Sequence, residues 1–385
     1  IMTNGDASEL ALIFGDKDLP LGPKAFISLG KRRQRESLEA LKLLGVPEYY
    51  VHFLSYPNNG LLALWKADHW LSSTPYSSPY TRADHSPYER SFTSGAVYCG
   101  QQVTADLLGL LDEVRPTKVF VTHPQDLHPD HWATAAFVRY ALALLRRQGQ
   151  PWAERIQLYG YLIHWPRWPL PRAWTPKLAL APPQDLVEIG GGAWLKLPLD
   201  PATERQKTRA LRCYRSQEPS SDRLLLAFLR TNEAFCRLTP AELVPGKSAS
   251  WRDETTTQGK LGGADVRFAY VRVGRDGFLI ASLLCAPHPL PKKGYLAVDV
   301  RTWDATGCPT FATLYITQSG QSQAALVRAG RLSTFAFPTK QTEPGLWTLG
   351  PVALPPSVQD YRDSLVLCWG SRRDRSLDPA PWLGE

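Results

Sequence analysis

The sequence predicts an α/β fold followed by a domain made only of β-strands. Helix and strand patterns alternate over residues 1–238, and short β-prone runs recur from residue 262 onwards. Within the first of these regions, a strand pattern at 118–121 leads through a polar loop into an apolar helix pattern at 132–145. Such alternation is typical of a mostly parallel sheet with helices on both faces. A chain of 385 residues is long enough for two domains.

The first half of the α/β region carries clear helix and loop signals. An amphipathic helix pattern covers residues 32–44, and Gly45 can end that helix. A polar segment with several Pro and Tyr residues, 72–94, is longer than a simple connector and predicts a functional cover over a site. The other elements expected here are a strand end at 1–3 that opens into a turn at 4–6, a strand at 50–55 and a helix at 101–114.

After residue 165 the sequence predicts an irregular stretch, then an edge strand and two helices, and finally a series of short strands. Residues 165–183 are rich in Pro and Trp, and they precede an expected edge strand within 187–199. Helices are expected at 201–215 and 222–237. About seven short β-prone runs after residue 262 indicate a β-sandwich. We therefore expect an α/β domain at 1–238, a linker of little periodicity at 239–261 and a β-sandwich domain at 262–385.

Composition excludes some classes of function. The net charge of +8 comes from scattered basic residues, so nucleic-acid binding is not expected. No run of about 18 apolar residues occurs, so nothing in this sequence is expected to span a membrane. The six cysteines form no C-x-x-C pair and are expected to be free thiols. Because free thiols suit several compartments, both a cytoplasmic and a cell-envelope location remain open, and so does the oligomeric state.

The segment 122–131 concentrates groups that can carry chemistry. His123, Asp126, His128, Asp130 and His131 follow directly after the predicted strand. A proline after the second of these histidines suits the first turn of the next helix, where a missing N–H costs nothing. Ligands commonly bind at the carboxyl ends of parallel strands, which is where this cluster is expected to stand.

These residue types suit a hydrolytic zinc site. A catalytic zinc takes three protein ligands and leaves one position for water, and imidazole is a preferred ligand. The segment supplies at most two or three of those groups. Asp126 and Asp130 can serve either as ligands or as partners that hold a histidine in one tautomer. A bound water can then attack an acyl carbon while a histidine protonates the leaving group. The alternative is a solvated loop rich in polar caps.

The segment resembles the PIG-L/LmbE-like deacetylases, which are zinc enzymes that remove acetyl groups from N-acetylglucosaminyl substrates. Their D-x-H-P-D-H block matches residues 126–131. Further pieces match in the same order up to about residue 238, and the fold implied is a Rossmann-like sheet. These pieces are the T-N-G-D strand end at 3–6, the R-x-x-E helix at Arg33 and Glu36, the strand and turn at 53–61, and the late segments around 210–217 and 232–235.

The resemblance implies roles for individual residues. His131 would be a zinc ligand, and His128 would be the general acid or the group that stabilises the tetrahedral intermediate. Asp130 would orient His128, and Arg33 would face the substrate. Asn58 stands where the family commonly has an Asp that contacts a sugar hydroxyl.

One part of the family pattern is absent. The A-H-P-D-D-E motif, which supplies the other His and Asp ligands and the general base, occurs nowhere in this sequence. In the family it precedes the T-N-G-D strand. We therefore expect the chain to be a fragment that is truncated at its N-terminus and poorly metallated as it stands.

Two classes of function follow. The first is a zinc-dependent amidohydrolase acting on N-acetylated amino sugars or their glycoconjugates. The second is a carbohydrate-binding or pseudoenzyme module, in which the β-sandwich holds glycans, although that domain can also serve only for packing or oligomerisation. His52 alternates with apolar neighbours in a strand pattern and is expected to be structural. The remaining histidines outside the cluster lack partners in sequence and are treated as background; these are His69, His85, His164 and His288.

Overall fold

The computed structural model describes most of the α/β region and the strand backbones of the β region. The described residues are 1–15, 21–65, 67–124, 126, 128–165, 168–184, 193–217 and 224–238, together with the backbone of the strands that follow. The chain divides into two compact units. The first comprises Ile1–Ala141, Arg155–Pro183 and Trp194–Leu238, and the second comprises Leu142–Glu154, Gln184–Ala193 and Thr239–Glu385.

A four-stranded mixed sheet, in the order β1-β2-β4-β3, lies in the α/β region. β1 (Lys118–Thr122) and β2 (Gln157–Tyr161) pair in parallel, so their carboxyl ends lie side by side. β4 (Asn232–Leu238) runs antiparallel to β2, and β3 (Ala193–Pro198) is the other edge strand. The α/β class is therefore confirmed, whereas the prediction of a mostly parallel sheet holds only for β1 and β2.

The helices expected from amphipathic spacing are present in the described residues. Pro23 begins a helix that extends to Leu43, and Gly45 follows it with a φ of 79°. None of the helices in the described ranges combines the length and apolar character that crossing a membrane requires. The helices are α1 (Glu9–Gly15), α2 (Pro23–Leu43), α3 (Leu61–Trp65), α4 (Gly100–Val114), α5 (Pro129–Arg147), α6 (Pro151–Glu154) and α7 (Pro201–Leu211), with 3-10 turns at Glu48–Tyr50 and Ala67–His69.

The helix predicted at 222–237 is wrong in its second half, which forms β4. Along β4 the side chains of Asn232, Ala234, Cys236 and Leu238 are buried, and those between them are more exposed. This period of two is the signature of a strand. Among the described residues before β4, 224–227 are helical, and the apolar side chains in this run are equally compatible with a helix that continues through β4. The edge strand expected within 187–199 is confirmed by β3.

The N-terminal residues pair with the segment before the second turn. The backbone N–H of Leu54 donates to the carbonyl of Ile1 at 2.8 Å, and that of Tyr56 donates to Met2 at 2.9 Å. Thr3 and Tyr56 form a parallel bridge. The strand end at 1–3 is thus confirmed, and the strand expected at 50–55 is limited to bridges. This pairing sets the turn at 4–6 beside the turn at 57–60.

An aromatic core holds α5 in place. Phe137 on α5 lies 4.9 Å from the ring of Trp65 and 5.9 Å from that of Trp70, measured between ring centroids. Tyr140, one turn further along, contacts the same two indoles at about 6 Å. All four side chains are buried. Because α5 begins at Pro129, this packing also positions the histidines at its start.

The second unit carries ten strands whose backbone is described, in the order β5-β14-β9-β10-β11-β12-β13-β8-β7-β6, with antiparallel pairing between neighbours. Seven of them coincide with the expected β-prone runs, and the β-sandwich remains a prediction. Two short strands, β5 and β6, lie within the range expected to be a linker, since neither has an alternating apolar pattern long enough to signal it. The strands are β5 (Glu242–Leu243), β6 (Ser248–Arg252), β7 (Val266–Val273), β8 (Phe278–Cys285), β9 (Tyr295–Trp303), β10 (Pro309–Thr317), β11 (Gln321–Arg328), β12 (Arg331–Glu343), β13 (Leu346–Ala353) and β14 (Leu365–Trp369).

Candidate active site

Three imidazoles converge where β1 and β2 end. His128 and His131 come from the loop and helix start that follow β1, and His164 comes three residues after β2. Their ring centroids are 4.8 Å apart for His128 and His131, 5.2 Å for His128 and His164, and 5.1 Å for His131 and His164. The three rings are half-buried. The parallel register of the two strands brings these residues together across a large sequence separation.

Asp126 ties the two loops of this site together. One carboxylate oxygen accepts the backbone N–H groups of Ile163 and His164 at 2.8 and 3.0 Å. The other accepts the N–H of His128 at 3.0 Å and lies 3.1 Å from Nδ1 of His131, in a close contact that is not aligned as a hydrogen bond. Burial by itself would raise the pKa of Asp126, but His131 and the N–H donors outweigh it and hold that pKa below its usual value.

The carboxylate of Asp130 bonds to the turn at 57–60, and the orienting role expected for this residue stays a prediction. Its carboxylate accepts the backbone N–H groups of Asn59 at 2.6 Å and Leu61 at 3.1 Å, at the start of α3. Asp130 contacts His128 through its main chain, since its backbone N–H donates to Nδ1 of His128 at 3.2 Å. The residue is 3% exposed, and burial raises its carboxyl pKa to about 6 despite the two N–H donors. Asp130 therefore joins the histidine loop to the turn at 57–60.

Two of the three imidazoles, those of His128 and His164, have pKa values below the usual value for histidine. Burial, with the nearby histidines, lowers the pKa of His128 to about 4. Burial also lowers the pKa of His164, with His131 and Arg172 acting in the same direction and Asp126 opposing them. Since Nδ1 of His128 accepts a hydrogen bond, a neutral His128 carries its proton on Nε2. Asp126 faces Nδ1 of His131, so Nε2 is the nitrogen of that ring left for a ligand.

The donor chemistry of the site fits zinc, but the ligand set is incomplete. Neutral imidazole nitrogens are good zinc ligands, and a carboxylate against the other nitrogen is a common way to orient such a ligand. His131 with Asp126 matches that arrangement. Within the described residues, however, no group of three or more His, Cys, Asp or Glu side chains is placed to hold a metal ion by itself. A metal bound at His131 would need further ligands.

Arg33 and Asn58 lie beside the histidine site rather than among the rings. The guanidinium of Arg33 donates to the carbonyl of Gly5 and, at 3.2 Å, to the hydroxyl of Ser216. The side chain of Asn58 accepts from the hydroxyl of Thr3 at 3.4 Å, and its backbone N–H donates to Asp6 at 3.3 Å. Both residues therefore border the turn at 4–6.

Asp6 links this turn to the predicted cover segment. It is 1% exposed and accepts the hydroxyl of Tyr88, from the segment 72–94, at 2.5 Å. Burial raises the pKa of Asp6 above its usual value, although Tyr88, the N–H of Asn58 and Arg33 act against that rise. The charge of Asp6 in turn adds to the raised pKa of Asp130, which places the two carboxylates in one neighbourhood. Whether segment 72–94 acts as a cover stays a prediction.

The sequence did not indicate that His164 belongs to the site, and it grouped His123 with the site residues although His123 is a core residue. His123 is 4% exposed and stacks on Trp194 with ring centroids 5.6 Å apart, so it belongs to the core rather than to the imidazole cluster. No chemically matching residue stands near His164 in sequence, which is why the sequence alone does not indicate it. One signal was available: it follows a strand that runs parallel to β1, and residues after adjacent parallel strands meet at one edge.

Comparisons with known proteins agree with the resemblance noted above. A family model described as PIG-L: GlcNAc-PI de-N-acetylase matches residues 1–142. The chain is similar to the conserved protein TT1542 from Thermus thermophilus, with 19% identity, a TM-score of 0.32 and coverage of 62% of this chain and 82% of that one. It is also similar to the antimicrobial reagent A40926 pseudoaglycone deacetylase Dbv21, with 18% identity, a TM-score of 0.32 and coverage of 62% and 83%. No curated protein matches the chain.

The two structural likenesses are too distant to carry an argument, so the assignment rests on the family match and on the motifs within it. Residues 3–6 and 126–131, on which the resemblance was based, both fall inside the matched range. Residues 1–142 therefore match a PIG-L family domain.

Proposed function

We propose that this protein is a zinc-dependent hydrolase that removes acetyl groups from N-acetylglucosaminyl-type substrates. The family match supports deacetylase activity. The observation that carries the finer proposal is the convergence of His128, His131 and His164 at the ends of β1 and β2, with Asp126 bonded to both loops. Imidazole is a preferred zinc ligand, and a carboxylate beside the far nitrogen of such a ring, as Asp126 lies beside His131, is common in zinc sites.

His131 is the proposed zinc ligand. Its Nδ1 lies 3.1 Å from Asp126, so Nε2 is the nitrogen left for the metal. When bound, zinc supplies a Lewis acid for the acetamide and activates water as the nucleophile. The other ligands are proposed to come from beyond the described residues, as the family's A-H-P-D-D-E motif would provide.

His128 is proposed to stabilise the negative charge that develops on the acyl oxygen. The backbone N–H of Asp130 holds its Nδ1, so Nε2–H is the donor available to a substrate. A pKa of about 4 favours a neutral imidazole near pH 7, and a neutral imidazole donates a hydrogen bond more readily than it releases a proton to a leaving amine. This supports the stabilising role over that of general acid.

The N-acetylated amino sugar is proposed to lie over the turn at 4–6. Arg33 and Asn58 border that turn, and Asn58 adjoins Asn59, which bonds Asp130. An amide side chain at position 58 can still hydrogen-bond a sugar hydroxyl, both as donor and as acceptor. Arg33 is largely occupied by Gly5 and Ser216, so its proposed effect is to hold the turn in shape as much as to contact substrate.

Zinc content and amine release together test the proposal. The natural polypeptide is expected to bind zinc and to release amine from N-acetylglucosamine conjugates, and His131→Ala is expected to lose both. His85→Ala is the matched control, since that histidine is 61% exposed and paired only with Asp84 in the described residues. Unchanged zinc in His131→Ala would exclude the ligand assignment. No turnover, alongside glycan binding by the domain at 262–385, would instead favour a carbohydrate-binding module.

A further inference from the structure

The loop at 165–183 begins directly after His164 and has an unusual composition. From residue 156 to residue 184 the chain contains no Asp or Glu. The loop itself contributes the cations Arg167, Arg172 and Lys177. The positive charge of Arg172 interacts electrostatically with His164 and helps to lower the pKa of its imidazole. The loop is therefore a purely basic segment at the edge of the candidate site.

Large apolar side chains of this loop project into solvent. Leu170 is 69% exposed, Trp174 is 58% exposed and Leu178 is 47% exposed. Scattered exposed apolar residues are ordinary, but three within nine positions form a concentrated feature. In contrast, Trp165, Trp168 and Leu180 are 3%, 7% and 3% exposed and anchor the two ends of the loop in the core.

Hydrogen bonds hold residues 168–181 of the loop in one shape. Arg230, itself 2% exposed, donates to the carbonyls of Thr175 at 2.9 Å and Pro171 at 2.8 Å. Asn232 exchanges two hydrogen bonds with the backbone of Leu180, at 2.8 and 3.0 Å. The indole of Trp168 donates to Ala181 at 2.8 Å. Since the backbone is already ordered, a partner that binds the exposed side chains meets little conformational entropy cost.

We propose that the 165–183 loop docks the protein on an anionic lipid surface. Leucine side chains can enter the boundary between headgroups and acyl chains, a tryptophan suits the interface, and Lys and Arg are attracted to anionic headgroups. The absence of acidic residues makes the charge of the loop complementary to such a surface. Nucleic acid would bind the cations but gives no role to the exposed side chains of Leu170 and Leu178. An acidic protein surface would likewise account for the basic charge but not for these apolar side chains.

Vesicle co-sedimentation of the full chain tests this proposal without reference to catalysis. The protein is mixed with phosphatidylcholine vesicles with and without phosphatidylserine, at low and at high salt. We expect binding to the phosphatidylserine vesicles, with less binding to phosphatidylcholine alone and at high salt. Because hydrolysis is not measured, this outcome is independent of the proposed deacetylase activity.

Paired substitutions separate the apolar from the electrostatic contribution. Leu170→Ser with Trp174→Ser is expected to weaken vesicle binding about tenfold or more. The matched control is Leu44→Ser with Tyr49→Ser, which removes one leucine and one aromatic ring that are 45% and 71% exposed elsewhere. Lys177→Gln is expected to reduce binding to anionic vesicles, and the exposed Lys24→Gln on α2 serves as its control.

Two results would overturn the proposal. One is the absence of binding to phosphatidylserine vesicles. The other is binding that heparin abolishes while Leu170→Ser with Trp174→Ser leaves it unchanged, because the loop would then recognise a soluble polyanion through charge alone. Since all the altered loop side chains are exposed, the variants are expected to melt at the same temperature as the wild type.

Discussion

Asp126 connects the two loops that carry the three imidazoles. Its buried carboxylate accepts three backbone N–H groups from two separate loops and faces His131. From sequence, Asp126 could be either a metal ligand or an orienting partner. Its two oxygens are already engaged with protein groups, which favours the orienting role. A buried charge satisfied in this way also explains why the pKa of Asp126 stays low.

His164→Gln tests whether the third imidazole takes part in the proposed reaction. The ring lies 5.1 and 5.2 Å from those of His131 and His128, so its loss is expected to lower kcat/KM for amine release about tenfold or more. The backbone N–H that bonds Asp126 is retained, so the melting temperature is expected to stay the same. His85→Gln, at an exposed position, should leave both quantities unchanged. Equal kcat/KM for His164→Gln and wild type would remove His164 from the site.

At the scale of elements, β2 passes close to the residue that follows β1. A Cβ atom added at Gly160 would lie 2.9 Å from Cδ2 of His123, 3.2 Å from Cδ1 of Leu238 and 3.3 Å from Cα of His123. The space beside β2 is therefore filled by the neighbouring strand and by the start of the histidine loop. Glycine at this position lets the two parallel strands and the loop pack together.

Gly160→Ala is expected to lower the free energy of unfolding by about 1–3 kcal/mol, because backbone as well as side chains must shift to admit the methyl group. Gly109→Ala is the matched control. Gly109 lies inside α4, and a Cβ there meets nothing within 4 Å, so alanine should be neutral or stabilise by up to about 1 kcal/mol. Urea unfolding of the two variants measures both values. Equal midpoints for the two would contradict the packing described for β2.

At the scale of the whole molecule, the buried histidines make stability depend on pH. Burial lowers the pKa of His123 to about 4, whereas the unfolded chain titrates near its ordinary value of about 6.5. Between these values the unfolded state binds a proton that the folded state does not. The stability associated with His123 is therefore complete above about pH 6.5 and is lost as the pH falls towards 4, by an amount on the order of 3 kcal/mol.

His123→Gln removes this titration. The loss of stability between about pH 7 and about pH 4.5 is expected to be smaller in the variant than in the wild type. The other histidines with lowered pKa values, His128 and His164, are present in both proteins and cancel in the comparison. The measurement is the urea midpoint at the two pH values. The same decrease in both proteins would show that His123 is accessible to protons in the folded state.

Local patterns in the sequence were sufficient for the elements with a strong periodic signal. α4, α5 and β1 lie where amphipathic spacing and apolar runs placed them, whereas α2 ends as expected but begins at Pro23, nine residues before its predicted start. β4 was not recognised, because the apolar run before it has no signal that separates a helix from a strand. Local sequence patterns also do not predict that β4 runs antiparallel to β2, since strand order and direction follow from contacts between distant segments.

The sequence by itself determined which loop carries the chemistry, because five titratable residues follow one strand within nine positions. Only the tertiary structure decided which of them act together. Parallel pairing of β1 and β2 brings His164 to His128 and His131 and moves His123 into the core, while Asp130 binds the start of α3. The physical reason is that a side chain's neighbours and burial, which set its pKa and its hydrogen bonds, come mostly from residues far away in the chain.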